Sequence, residues 1–276
     1  MITQPFEYSL PATLQEALGL LAHEGAKPLA GGMSLIPMMK FRMAAPEQLV
    51  DIGRLQELNY IRREGDHLHI GAGVTHEDVL RSPEIRGGCP LLSEVAGNIG
   101  DIQVRNRGTI GGSAAHADPA ADYPAAFFAL EAHFKLISAK GERVVDVADF
   151  FVDLLTTALE PGELVQEVIV PVEAAGTGVS YQKCVHPASG YAIVGVAVRA
   201  GKLFTRVGVT GVGAKAYRAH AVEARFAESG NVRESAARAA DGVDASSDIH
   251  ASSNYRKHLA AVYCQRALTE AVSRRQ

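Results

Sequence analysis

Cysteine is nearly absent from this 276-residue sequence: Cys89, Cys184 and Cys264 are all there is, and they lie far apart. No pair has the short spacing of a zinc or iron–sulfur ligand set. Each reads as a small buried hydrophobe, and any electron-carrying cluster must belong to another chain. Long apolar runs are missing too. No window reaches the roughly 18 consecutive apolar residues of a membrane span. Met1-Ile-Thr-Gln-Pro-Phe6 lacks the basic and apolar regions of a signal peptide, so the expected location is the cytoplasm. There is no excess of positive charge: 27 Lys and Arg stand against 31 Asp and Glu, a net charge of -4, with no global pull toward nucleic acid.

Several catalytic signatures are also lacking. The 10 histidines show neither His-x-x-x-His nor His-Glu-x-x-His spacing. The two main glycine loops contain no Gly-x-Gly-x-x-Gly, and Gly-x-x-x-x-Gly-Lys-Ser/Thr does not occur, which removes the Rossmann and P-loop readings. No Ser–His–Asp or Cys–His set can be picked out. Apolar residues at 47% and charged ones at 21% are ordinary for a globular chain long enough for two or three packed subdomains.

What is present is glycine in two places. Arg105-Asn-Arg-Gly-Thr-Ile-Gly-Gly-Ser-Ala-Ala-His-Ala-Asp-Pro-Ala-Ala-Asp122 is dense in glycine and small residues, and Leu29-Ala-Gly-Gly-Met-Ser-Leu-Ile-Pro37 follows a short apolar stretch. Such loops let backbone approach a ligand closely and cup an anion with successive N–H groups. Each carries a hydroxyl, Ser34 or Thr109. Together they favour a diphosphate, which needs several donors and no bulk; the amides of Gly31, Gly32, Gly111 and Gly112 are the expected donors. Gly87-Gly88, beside Cys89-Pro90, reads as a turn. Arg105 and Arg107 face either phosphate, solvent or a partner; His116 reads as loop packing, and His67 and His69 as surface residues on a strand. Asp118 and Asp122 have no nucleophile tied to them, and Asp122 suits a cofactor hydroxyl.

The periodicities predict three units. In residues 1–55, Thr13-Leu-Gln-Glu16 opens a helix that Gly25 can stop, and strands at Lys27–Ala30 and Leu49–Ile52 make a small α/β subdomain. Residues 56–173 read as a second α/β unit, with strands near Leu68–Ile70, Phe134–Ile137, Val144–Val147 and Leu164–Val170, a helix capped by Thr75, and helices over Pro90–Ile99 and Ala120–Glu131. Residues 174–276 begin with an antiparallel sheet over Tyr181–Cys184, Tyr191–Arg199 and Leu203–Val212. They end in helices, the last with Tyr255, Leu259, Val262, Tyr263 and Ala267 on its inner face. The fold class is α+β.

Ala30-Gly-Gly-Met-Ser-Leu-Ile-Pro37, Arg105-Asn-Arg-Gly-Thr-Ile-Gly-Gly-Ser113 and Ala117-Asp-Pro-Ala-Ala-Asp122 resemble the FAD-binding medium subunits of molybdenum hydroxylases. That family includes the carbon monoxide dehydrogenase medium chain and the flavin segment of xanthine dehydrogenase. Glu160-Pro-Gly-Glu-Leu164 and Gly190-Tyr-Ala-Ile-Val194 continue the likeness over nearly the whole chain. The resemblance implies a PCMH-type FAD-binding fold, two N-terminal α/β subdomains followed by a C-terminal sheet-plus-helix domain. It implies that Pro28, Leu29, Ala30, Gly31, Gly32, Met33, Ser34 and Leu35, with Thr109, Ile110, Gly111, Gly112 and Ser113, surround the pyrophosphate. Asp122 would bind the ribityl or ribose region, Leu164 would touch the flavin's neighbourhood, Lys183 would lie near the ring and Tyr191 beside it. Met33 stands where many relatives have histidine, which excludes a covalent histidyl–flavin link, and Ser113 where many have asparagine.

The same resemblance implies no metal and no substrate-hydroxylating residue in this chain. Electrons would come from a large molybdenum-cofactor subunit through a small subunit with two 2Fe-2S clusters. They would leave through FAD to NAD, quinone, oxygen or a carrier, in a dimer of heterotrimers. A free-standing flavin oxidoreductase would need a pocket with a placed acid or base, and none is identifiable. A non-catalytic nucleotide-binding or assembly subunit is the other alternative.

Overall fold

A computed structural model describes residues 2–275. Its first sheet is parallel, in the order Glu7–Ser9, Gln48–Asp51, Ala26–Leu29, with the helix Leu14–Leu21 packed on it. Thr13 caps that helix by accepting from Glu16 N at 3.2 Å, and the Glu16 carboxylate folds back to Ala12 N at 2.8 Å. The helix stops at Leu21, short of Gly25. That glycine, at φ +80°, instead makes the turn into the next strand, where its carbonyl accepts from Glu47 N at 3.0 Å.

The second sheet has the order Ile61–Glu64, His67–Gly71, Leu164–Pro171, His133–Ser138, Gly141–Asp146, and every pairing in it is antiparallel. The sequence predicts a second α/β unit here without fixing its strand pairing. Tight turns at 65–66 and 139–140 pair neighbouring strands directly, so no crossover is needed. The helices His76–Arg81, Pro83–Gly88, Pro90–Gly97, Ile110–His116 and Tyr123–Leu130 are instead inserted between strands. Gly87-Gly88 is therefore the last turn of a helix rather than a free turn. The stretch read as a glycine loop is a helix from Ile110, capped by Thr109.

The third sheet runs Gly178–Val185, Ala192–Ala200, Thr205–Thr210, Tyr217–Arg218, with the 21-residue helix Ser253–Ser273 across one face. That helix buries Arg256, Leu259, Ala260, Cys264, Ala267, Leu268 and Ala271. Tyr255 is exposed, and Val262 and Tyr263 sit at the margin, so the expected inner face is rotated. Near the end of this helix the sheet comes close enough that a Cβ on Gly178 would lie 1.9 Å from the Ala271 carbonyl oxygen. Burial pushes the Cys89 and Cys264 thiols up to about 12, which keeps both inert; Cys184 is half-buried.

Tyr123–Leu130 joins the second and third sheets and is buried at every position. One core therefore runs from Phe127, Phe134 and Phe150 to Tyr181 and Ala197. A Cβ on Gly208 would meet the Ala125 carbonyl oxygen at 1.9 Å and Ala129 N at 3.1 Å. Gly208→Ala is expected to destabilise the chain by about 3 kcal/mol. Gly87→Ala, where nothing lies within 4 Å, is expected to be neutral or stabilising by up to about 1 kcal/mol. Urea unfolding of both variants checks the pair.

Candidate functional site

The two glycine stretches meet backbone to backbone. A Cβ on Gly31 would fall 1.9 Å from the Arg107 carbonyl oxygen and 2.9 Å from Gly108 Cα, so only glycine allows this contact. Gly32 follows at φ +75° and turns the chain into the helix Leu35–Lys40. The amides of Gly31, Gly32, Met33, Ser34 and Leu35 have no backbone acceptor among the described residues. A consecutive row of free N–H groups on a left-handed turn is a concave donor surface suited to an anion. Of the remaining predicted positions here, Pro28 and Leu29 belong to the strand that delivers the turn, and Ala30 leads into it.

The second stretch is built differently from expectation. Ile110 N donates to Val74 O and Gly111 N to Ala72 O, each at 3.0 Å; Gly112 N donates to Thr109 Oγ1 and Ser113 N to Thr109 O, also at 3.0 Å. The amides of Gly111 and Gly112 are thus engaged inside the chain. A Cβ on Gly111 would strike Ala72 Cβ at 2.3 Å and Cα at 2.7 Å, so this glycine serves helix packing. What the segment offers outward is the exposed Gly112 backbone and the half-buried Ser113. It forms a wall beside the donor row.

Arg105 points inward. Its Nε donates to Glu77 Oε2 at 3.0 Å, and Arg105 and Arg81 together hold the Glu77 carboxyl below its ordinary range. Arg107 is exposed. His76 lies beneath Gly108, donates its backbone N–H to Gly108 O at 3.0 Å, and packs its ring on Tyr123. Burial, reinforced by the Arg105 charge, lowers His76 to about 4. His116 Nε2 stands 3.9 Å from Asp118 Oδ2. His69, expected at the surface, turns its Nδ1 onto the buried Glu167 at 3.0 Å.

Asp122 is 5% exposed rather than open to a ligand hydroxyl. Its Oδ1 accepts from the Tyr181 phenol at 2.5 Å, and Lys183 Nζ lies 2.9 Å from Oδ1 and 3.0 Å from Oδ2. Lys183 also donates to Asn98 O at 2.7 Å. Burial pushes the Asp122 carboxyl up, while Lys183 and Tyr181 pull it the other way. This cluster pins the third sheet to the 118–122 turn, as do Thr210 Oγ1 on Pro119 O at 2.7 Å and Ala192 N on Ala120 O at 3.1 Å. Leu164 is buried, 4% exposed, at the start of a strand, in a cluster with Leu18, Leu21, Ile52 and Leu58 against which Ala30 of the first loop packs.

Tyr191 completes the convergence. It follows Gly190 (φ +74°) and is 41% exposed. Burial and the nearby Asp118 and Asp122 raise its phenol, with the neighbouring Ser34 opposing. Ser34 and Asp118, from the first and second units, lie near Tyr191 of the third. Tyr181, Asn98 and Glu77 escaped the sequence reading. Their partners lie 59, 85 and 28 residues away, and no local pattern marks contacts at such separations.

Residues 4–173 match the family described as the FAD binding domain in molybdopterin dehydrogenase, and residues 179–271 the CO dehydrogenase flavoprotein C-terminal domain. The chain belongs to the FAD-binding medium subunits of molybdenum hydroxylases. It is 40% identical to the carbon monoxide dehydrogenase medium chain of Hydrogenophaga pseudoflava, over 99% of both chains. It is 38% identical to the glyceraldehyde dehydrogenase medium chain of Sulfolobus acidocaldarius, over 98% of this chain and 99% of that one. In structure it matches a chain of the Hydrogenophaga pseudoflava carbon monoxide dehydrogenase with a TM-score of 0.95, covering 100% of each. A chain of quinoline 2-oxidoreductase from Pseudomonas putida 86 matches with a TM-score of 0.93, at 32% identity over 99% of each. The fold is the one this family's resemblance implied. Among the described residues, no helix is long and apolar enough to cross a membrane.

Two measurements test this medium subunit's buried charges. Lys183→Met strands Asp122 in the interior and is expected to cost about 3 kcal/mol in denaturant unfolding, with Asp122→Asn added to it restoring more than half. His76, lowered to about 4 from an unfolded value of 6.5, favours the fold above pH 6.5 and loses that contribution as pH falls to 4. The loss amounts to about 3 kcal/mol. The corresponding fall in stability should be missing from His76→Phe.

Proposed function

We propose that the cleft between the 31–35 amide row, the Thr109–Ser113 wall and Tyr191 holds FAD. Residues 1–55 and 56–173 would act as the holding subdomains and 174–276 as the third wall. The observation that carries this reading is the row of acceptorless amides at Gly31–Leu35, wedged against Arg107 and Gly108. These N–H groups suit the diphosphate. The exposed Gly112 backbone and the Ser113 hydroxyl suit the groups beside it, with Ser34 and Tyr191 nearby. Asp122 acts from behind. Paired with Lys183 and hydrogen-bonded by Tyr181, it fixes the 118–122 turn. Bound FAD supplies a ring that exchanges electrons singly or in pairs.

On this reading the described residues of the chain bind, orient and shield. In this proposal electrons enter from a small 2Fe-2S subunit fed by a large molybdenum-cofactor subunit. They leave to an external acceptor such as NAD or quinone, in a cytoplasmic dimer of heterotrimers. The names of the relatives, carbon monoxide, glyceraldehyde and 6-hydroxypseudooxynicotine dehydrogenases among them, support a subunit whose substrate is chosen elsewhere.

Gly32→Val tests the site. Valine at φ +75° distorts the donor row and presses first on the Ile36 side chain. The purified complex is expected to keep its subunits but carry less than about a tenth of the flavin, read from the visible spectrum; full occupancy would end the proposal. Gly111→Val is not an equivalent test, because it collides with the Ala72 backbone.

A further inference from the structure

The helix Leu35–Lys40 ends in a turn that faces solvent. Met43 N donates to Met38 O at 2.8 Å and Arg42 N to Met39 O at 3.0 Å, with Arg42 at φ +60°. Glycine usually fills that left-handed position, and the residue after it usually lies back on the helix. Here Arg42 fills it, and Phe41 and Met43 stay 64% and 71% exposed. Ile36 extends this surface to the donor row, since a Cβ on Gly32 would lie 2.7 Å from Ile36 Cδ1. Lys40 and Arg42 are exposed, with no carboxylate in ion-pair range among the described residues. From Lys27 to Pro46 the chain has Lys27, Lys40 and Arg42 and no acidic residue, although its net charge is -4.

We propose that this face, made by Ile36, Lys40, Phe41, Arg42 and Met43, docks the iron–sulfur subunit through an apolar surface with an acidic rim. The inference rests on the proposed function. Three features select this occupant. A cluster held by thiolates is net anionic in both oxidation states, and a cationic rim draws such a partner and orients it. The face is continuous with the flavin-holding turn, where electrons must arrive. Phe, Met and Arg are the residue types that anchor interface centres. A second copy of this chain fits poorly, because a two-fold contact would set Lys40 and Arg42 against themselves.

The test uses the intact complex, purified through a tag on this chain, with subunit recovery and flavin content measured together. In Phe41→Ser/Met43→Ser, recovery of the iron–sulfur subunit is expected to fall at least tenfold while flavin per chain is unchanged. Arg42→Gly separates docking from folding. Glycine relieves the left-handed position, so a purely structural role predicts equal or better recovery. Docking predicts association several-fold slower and less sensitive to salt, and the same for Lys40→Gln. Unchanged recovery in the double variant overturns the proposal. So does loss of the large subunit alone, loss of pairing between copies alone, or flavin loss in step with the subunit. A wild-type complex with all subunits and no flavin would instead sink the cofactor reading and leave the docking result to be judged on recovery.

Discussion

At Gly31 the chain runs so close to the Arg107 carbonyl that a single methyl group would be 1.9 Å from it. That approach holds two backbones far apart in sequence at contact distance. Because the neighbour is peptide rather than side chain, the turn cannot relax toward it. The amides from Gly31 to Leu35 are therefore held outward, and the free donor row is a by-product of packing with no special polar residue needed. On the other side of the contact the peptide groups are spent: Val74 and Ala72 accept from Ile110 and Gly111, which makes that segment rigid. Two sequence stretches that look alike thus do different work, one as donor and the other as wall.

Charge is used in the same economical way. Glu77 sits under the wall and holds Arg105, while Asp122 sits under the cleft and is neutralised by Lys183 and Tyr181. Buried pairs of this kind contribute little net stability compared with apolar packing. Their value here is positional. Lys183 ties the third sheet, whose hairpin carries Tyr191, to Asn98 and Asp122 of the second unit.

A medium subunit so arranged has no reaction chemistry of its own to tune beyond its cofactor's surroundings. Its burden is geometric: to hold one group in place. The exposed cationic turn at Phe41–Met43 lies one helix away from the amide row. This places a candidate entry for electrons beside the cleft instead of through the buried core.

The sequence by itself determined the glycine positions, the Thr13 and Thr75 caps, the strands with β-branched alternation and the absence of cluster ligands. Each of these is a local preference, set by steric freedom or hydrogen bonding within a few residues. The paired glycine motifs also carried the family. Tertiary structure decided the rest. It made the second sheet antiparallel, rotated the last helix so that Ala and Cys replaced Tyr255 at the sheet, drew Leu164 into the core and closed Asp122 on Lys183. It also decided that Gly111 packs a helix while Gly31 and Gly32 expose a donor row. Those outcomes depend on what lies opposite each residue after folding, and a backbone amide carries no sequence mark saying whether its acceptor will come from the chain or from a ligand.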